Sequence, residues 1–227
     1  RADVVIYAGS LVSKEHLEYC RPDVQIYNSA NMTLEDVMEI MTMEDQMGKL
    51  VVRLHTGDPS IYGAIREQMV ELDRVNINYE VVPGVSSFTG AAAAVNREFT
   101  LPGVSQTVIL TRVPGRTPVP ENEDLEKLAS IGASMAIFLS ISMIDKVVEK
   151  LKKGYKRNVP IAVVERATWP DQRIIMGTLD DIAEKVKENN ITKCAQILVG
   201  DFLGDEFEKS LLYDKSFSHM FRDGEND

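Results

Sequence analysis

Basic residues are scarce in this chain: 25 Lys and Arg stand against 35 Asp and Glu, a formal charge of −10. No cluster of cations interrupts that balance, which argues against a nucleic-acid partner. Cysteine is nearly absent. Cys20 and Cys194 lie far apart, so the chain has neither a disulfide framework nor the ligand spacing of a metal site. Both read as inert, partly buried thiols, and a cytoplasmic location is expected. No apolar run reaches membrane-spanning length, and the richest, residues 90–95, is far too short. No secretory signal stands before the first strand-like segment. Also missing are a GxxxxGK(S/T) phosphate loop, a GxGxxG turn after a strand, a GxSxG elbow and any Cys/His cluster. Ordinary dinucleotide sites, P-loop hydrolysis and serine-nucleophile chemistry are thereby set aside.

What is present is a soluble composition over 227 residues, enough for two modest domains. Short β-branched runs alternate with helical periodicity through the first half. Strands are expected over 4–7, 24–27, 50–54, 78–82 and 106–112. Helices are expected over 13–19, from an N-cap at Thr33 to about 47, and from 61 to about 75. Such alternation implies a parallel sheet flanked by helices. Three prolines within 113–120 mark the expected domain boundary, separating an N-terminal domain (1–112) from a C-terminal one (121–227). In the second half, the strands expected over 161–165 and 173–177 are joined too tightly for a helical crossover. They should run antiparallel, giving a mixed sheet. The fold class expected is therefore α/β, with two domains, the first mainly a parallel sheet and the second a mixed one.

The most informative stretch is residues 55–64, His-Thr-Gly-Asp-Pro-Ser-Ile-Tyr-Gly-Ala. It follows a buried-strand pattern and precedes a helical one, so it is a strand-to-helix turn, with Ser60 as the expected N-cap. In open α/β sheets ligands bind at that end of the strands. Gly57 permits close backbone approach, and Asp58 offers a carboxylate to hydroxyl or ammonium groups. The plain alternative is an ordinary turn with an Asx side chain. His55 is as readily a hydrogen-bonded structural histidine as a ligand contact. A second loop, 83–87, leads into an Ala-rich helix whose free N–H groups suit a carboxylate or lone-pair-rich ligand. The second half adds the strand end at 138–140 and the tight connection 166–170. These small-residue strand ends carry one carboxylate and few titratable groups, which favours binding a polar cofactor over acid–base hydrolysis.

Residues 55–64, 81–94 (VVPGVSSFTGAAAA) and 136–140 (AIFLS) resemble the tetrapyrrole methylases, which use S-adenosylmethionine on corrin and porphyrin precursors. Residues 4–13 (VVIYAGSLVS), 106–121 (QTVILTRVPGRTPVPE) and 164–172 (VERATWPDQ) resemble the branch that methylates C-11 of precorrin-4 or cobalt-precorrin-4. The likeness runs to 211–219 (LLYDKSFSH). It implies two α/β domains with the cofactor folded into the cleft between them, a homodimer, a tetrapyrrole substrate, and S-adenosylhomocysteine as the spent donor. Cofactor contacts implied by position are Thr56, Gly57, Asp58, Ile61, Ser86, Ser87, Leu139 and Ala167. For the substrate's carboxylates, Arg112 and Arg116 are the candidates, with His55 beside them. No metal site and no catalytic acid or base is assigned.

Two departures qualify the resemblance. Family members begin with a further strand and a GxGPGD-type loop, and this chain starts after it. Where uroporphyrinogen-type relatives place an aspartate, this sequence has Ala8. The remaining alternatives are methylation of another precorrin carbon, action on the diphthamide precursor, or a binding module without turnover.

Overall fold

The computed structural model describes residues 1–9 and 11–224. Ser10, expected in the turn after the first strand, and the end of the polar tail at 225–227 lie outside the described residues. The chain divides into two compact units, Arg1–Ser87 and Phe88–Asp227, so the division falls ahead of the proline-rich stretch.

The first unit is built on a three-stranded parallel sheet of order β2-β1-β3, with β1 Val4–Tyr7, β2 Gln25–Asn28 and β3 Val51–Leu54. All four residues of β1 are buried, because helices or loops cover both faces of the central strand. Alternate side chains serve the two faces. Val4 and Ile6 pack with Val37 and Met41 of α1 (Leu34–Gln46) and Leu72 of α2 (Ile65–Arg74). Val5 and Tyr7 pack with Val12 on the other side. The α1 start is as expected: the Thr33 hydroxyl accepts from the Asp36 N–H at 3.2 Å, and the Asp36 carboxylate accepts from the Thr33 N–H at 2.8 Å.

Two expectations fail here. Residues 78–82 take no regular secondary structure and join no ladder among the described residues. The helix after the key turn starts at Ile65, not at 61, and Ser60 is not its cap. Tyr62 and Ala64 adopt left-handed φ values of 56° and 52°, which a continuing right-handed helix excludes, and Ala64 is the N-cap instead.

The second unit holds a five-stranded mixed sheet of order β4-β5-β8-β6-β7. Its strands are β4 Val108–Arg112, β5 Ser134–Phe138, β6 Pro160–Glu165, β7 Arg173–Thr178 and β8 Ala195–Val199. β4 pairs with β5 in parallel; β5–β8, β8–β6 and β6–β7 are antiparallel. The tight β6–β7 connection thus behaves as expected. β4, assigned to the first domain from the sequence, belongs to this sheet. The proline-rich residues 113–120 therefore join β4 to the helical region that begins at Glu121, inside the second unit.

Helices α4 (Leu125–Ala129), α5 (Ile144–Tyr155) and α6 (Ile182–Glu188) bury Leu125, Val147, Leu151, Ile182 and Val186 against Met135, Ile137, Ile161, Val163 and Ile197 of the strands. Helix α3, Ser87–Ala94, begins at the junction of the units. The thiols differ from expectation in one respect: Cys20 is half-buried, but Cys194 is exposed. No helix of the described residues is long and apolar enough to cross a membrane.

Candidate functional site

In the first unit, two loops expected to hold a cofactor are locked together backbone to backbone. Gly57, at φ +61°, leaves the end of β3, and Gly84 comes from the loop ahead of α3. A Cβ on Gly84 would lie 2.2 Å from the Gly57 carbonyl oxygen, and one on Gly57 would meet the Ser86 Cα at 3.4 Å. Only glycine permits that approach at Gly84. Asp58 makes the tie. Its Oδ2 accepts from the Gly84 N–H at 3.0 Å, and its Oδ1 accepts from the Ser60 N–H at 2.8 Å and from the Ser60 hydroxyl. The Ser60 hydroxyl, then the Gly84 N–H, hold the Asp58 carboxyl below the usual carboxylate range. The Asx-turn reading of Asp58 is what the geometry shows, and the same side chain spans both loops.

Around that tie, Thr56 and Gly57 are exposed, Ile61 is half-buried, Ser86 is buried and Ser87 is exposed. The structure therefore brings together six of the sequence-derived cofactor residues: Thr56, Gly57, Asp58, Ile61, Ser86 and Ser87. The tie sets small side chains and main-chain groups of the two loops side by side, an arrangement we call the cradle.

His55 sits one residue ahead, half-buried. Burial, then the charge of Arg53, lower its pKa, so the imidazole is neutral at pH 7 and neither repels a cationic donor nor pairs with an anion by charge.

Two sequence-derived positions lie in the second unit. Leu139 follows β5 at φ 52° and is 65% exposed. A large apolar residue held left-handed and turned to solvent costs on the order of 1 kcal/mol and is the kind of strain found at functional loops. Ala167 lies in the β6–β7 connection between Arg166 (φ 50°) and Thr168 (φ 73°). That loop is stiffened from within: Arg166 pairs with Asp171 and lies over the Trp169 ring at 4.8 Å, and Gln172 accepts from the Thr168 N–H at 2.8 Å. Gly90 of α3 passes close by, with room for a Cβ at only 3.4 Å from the Thr168 methyl.

The cationic candidates fare differently. The Arg112 guanidinium donates to the Thr117 carbonyl at 3.2 Å and the Pro118 carbonyl at 2.6 Å. It fastens the proline-rich turn with two of its five N–H donors. Arg116 is exposed on that turn. One residue went unnoticed in the sequence: Arg53, in β3. Its signal was a single cation inside an otherwise apolar strand run, where a buried strand has no use for charge.

Comparison with known proteins agrees with this architecture. The family model of tetrapyrrole (corrin/porphyrin) methylases matches residues 1–183. A cobalt-precorrin-4 C(11)-methyltransferase of Methanocaldococcus jannaschii is 55% identical over 223 residues, 97% of this chain and 86% of that protein. A precorrin-4 C(11)-methyltransferase of Pseudomonas aeruginosa is 45% identical, covering 98% of this chain and 89% of the other. The X-ray structure of a cobalt precorrin-4 methyltransferase superposes with a TM-score of 0.87 at 45% identity, over 90% of this chain and 86% of that one. The glycine-locked cradle, the parallel and mixed α/β sheets and this likeness along nearly the whole length place the chain in the tetrapyrrole methylase family, as a methyltransferase.

Proposed function

We propose that the protein methylates C-11 of precorrin-4, in its cobalt form by preference, to give the corresponding precorrin-5. The observation that carries this reading is the Gly57–Gly84 contact tied by Asp58, which leaves a small-residue cradle where the family resemblance expects a methyl donor. When bound, S-adenosylmethionine supplies a methyl group activated by its sulfonium. The chain's own part is positioning and exclusion of water. Thr56, Gly57, Asp58, Ile61, Ser86 and Ser87 would hold the donor in the first unit. The neutral His55 leaves the donor's positive charge unopposed. No side chain is assigned as nucleophile or base. Exposed Tyr213, Met220 and Phe221 in the C-terminal tail support a homodimer, and we place the enzyme in the cytoplasm.

The cobalt preference is supported by the names of the relatives: the 55% identical protein is named for the cobalt substrate, the 45% identical Pseudomonas protein for the metal-free one. The test is turnover of cobalt-precorrin-4 and precorrin-4 side by side, using donor with an isotopically labelled methyl group. Label at C-11, with higher kcat/KM for the cobalt ring, is the expected result. Label at another carbon would assign a different precorrin methylase. Donor binding without transfer to either ring would make the chain a binding module or direct attention to the diphthamide precursor.

A further inference from the structure

Arg53 is out of place in its strand. It pairs in register with Ile6 of the central strand, and its Nη1 donates to the Ile6 carbonyl at 3.0 Å. Its Nε is buried and has no hydrogen-bond partner among the described residues. Burial lowers its pKa, and no acidic side chain offsets that effect. A half-buried cation without a counter-charge is costly.

The guanidinium lines a cleft of about 260 Å³ bounded by Ser29, Thr33, His55, Thr56 and Gln68. Helix α2 begins at this cleft from Ala64, whose side chain makes no cap, so its positive end adds to the field. One carboxylate lines the cleft, that of Glu67, which is exposed. The volume falls below the roughly 300–1,000 Å³ of sites that enclose a drug-sized ligand. The cleft can therefore take a substituent of a macrocycle while the ring stays outside.

We propose that this cleft seats one acetate or propionate carboxylate of the tetrapyrrole, with Arg53 as its counter-charge and His55 and Thr56 as hydrogen-bond partners. This rests on the substrate class proposed above. It adds to Arg112 and Arg116 a cation that donates to the Ile6 carbonyl through Nη1 and leaves its Nε without a hydrogen-bond partner among the described residues. Arg suits the role because its planar fork matches a carboxylate's two oxygens.

The experiment compares the parent with Arg53→Met and Gln68→Glu, the second placing a competing carboxylate on the cleft wall. Three quantities are measured: the Kd for cobalt-precorrin-4 without donor, the Kd for S-adenosylmethionine, and Tm. Both variants should bind the macrocycle about tenfold or more weakly, with donor affinity unchanged. Gln68→Glu should also raise Tm by giving Arg53 a partner, an effect that a merely structural Arg53, already satisfied, would not show. Parental macrocycle affinity in Gln68→Glu, or in a folded Arg53→Met, overturns the proposal. If Arg53→Met fails to fold, Gln68→Glu decides alone. If the parent binds the macrocycle without methylating it, the functional reading falls while the ratio of Kd values still decides this one. A parent that does not bind the macrocycle at all overturns both.

Discussion

At the scale of single residues, the cradle depends on what Gly84 does not have. A methyl group there would press on the Gly57 carbonyl oxygen at 2.2 Å, and its three nearest neighbours are all backbone atoms, so a side-chain rotation cannot relieve it. Gly84→Ala should therefore separate the two loops and break the Asp58 tie. We expect S-adenosylmethionine affinity to fall by about tenfold or more, with a lower Tm, read by calorimetric titration and thermal melting. Unchanged affinity would remove the cradle from the donor site. His55 makes a prediction of the opposite kind. Its folded-state pKa lies below the ordinary value of 6.5, so the unfolded chain takes up its proton first on acidification. Stability should be level above about pH 6.5 and decline as pH drops below it. In His55→Gln this part of the decline should be absent from denaturant titrations across that range. These roles differed in how well the sequence showed them. Asp58 was visible as a lone carboxylate in a glycine turn, but its hydrogen bond to Gly84, 26 positions on, is a tertiary contact that spacing does not reveal. Arg53 was hidden because a strand pattern is read from its apolar members.

Among the elements, those with local punctuation were legible. Thr33 and Asp36 announce α1, and the reciprocal hydrogen bonds are both made. Thr33→Ala should lower unfolding free energy by roughly 1 kcal/mol, measured by urea titration; a change near zero would mean that the box adds nothing to an α1 already fixed by packing. The antiparallel pairing of β6 and β7 followed from the shortness of their connection. The start of α2 was misread because Ile61, Ile65 and Met69 keep helical spacing through a stretch where Tyr62 and Ala64 are left-handed, and side-chain periodicity carries no record of φ. Residues 78–82 have the β-branched and aromatic character of a strand, but character alone does not supply a ladder partner. The strained positions Leu139, Arg166 and Thr168 were not foreseen for the same reason, although the loops that carry them were.

For the molecule as a whole, the charge of −10 sets a condition on any polycarboxylate substrate. Long-range repulsion slows encounter and salt relieves it, whereas salt weakens a local pairing once formed. The association rate for cobalt-precorrin-4, followed by stopped flow, should rise as ionic strength increases from low values, and the dissociation rate should rise too. An association rate that falls with salt would point to a local basic field that outweighs the net charge. The fold class was readable from β-α alternation in the first half and the short β6–β7 connection in the second. The position of the division was not. The prolines of 113–120 looked like a linker because they break regular structure, yet β4 before them pairs with β5 after them, and strand pairing outweighs local composition.

The strand order of the second sheet also governs when each unit can exist during synthesis. β8, the last of the described strands, lies between β5 and β6. Until residues 195–199 have left the ribosome, β5 and β6 have no bridge between them, and the buried face formed by Ile137, Ile161 and Val163 stays open. The first unit, by contrast, draws its sheet from residues 4–54 and has its strands in hand early. Nascent chains stalled before β8 would thus pair a nearly complete N-terminal half with an unsealed C-terminal one, the state in which apolar strand edges meet chaperones or one another.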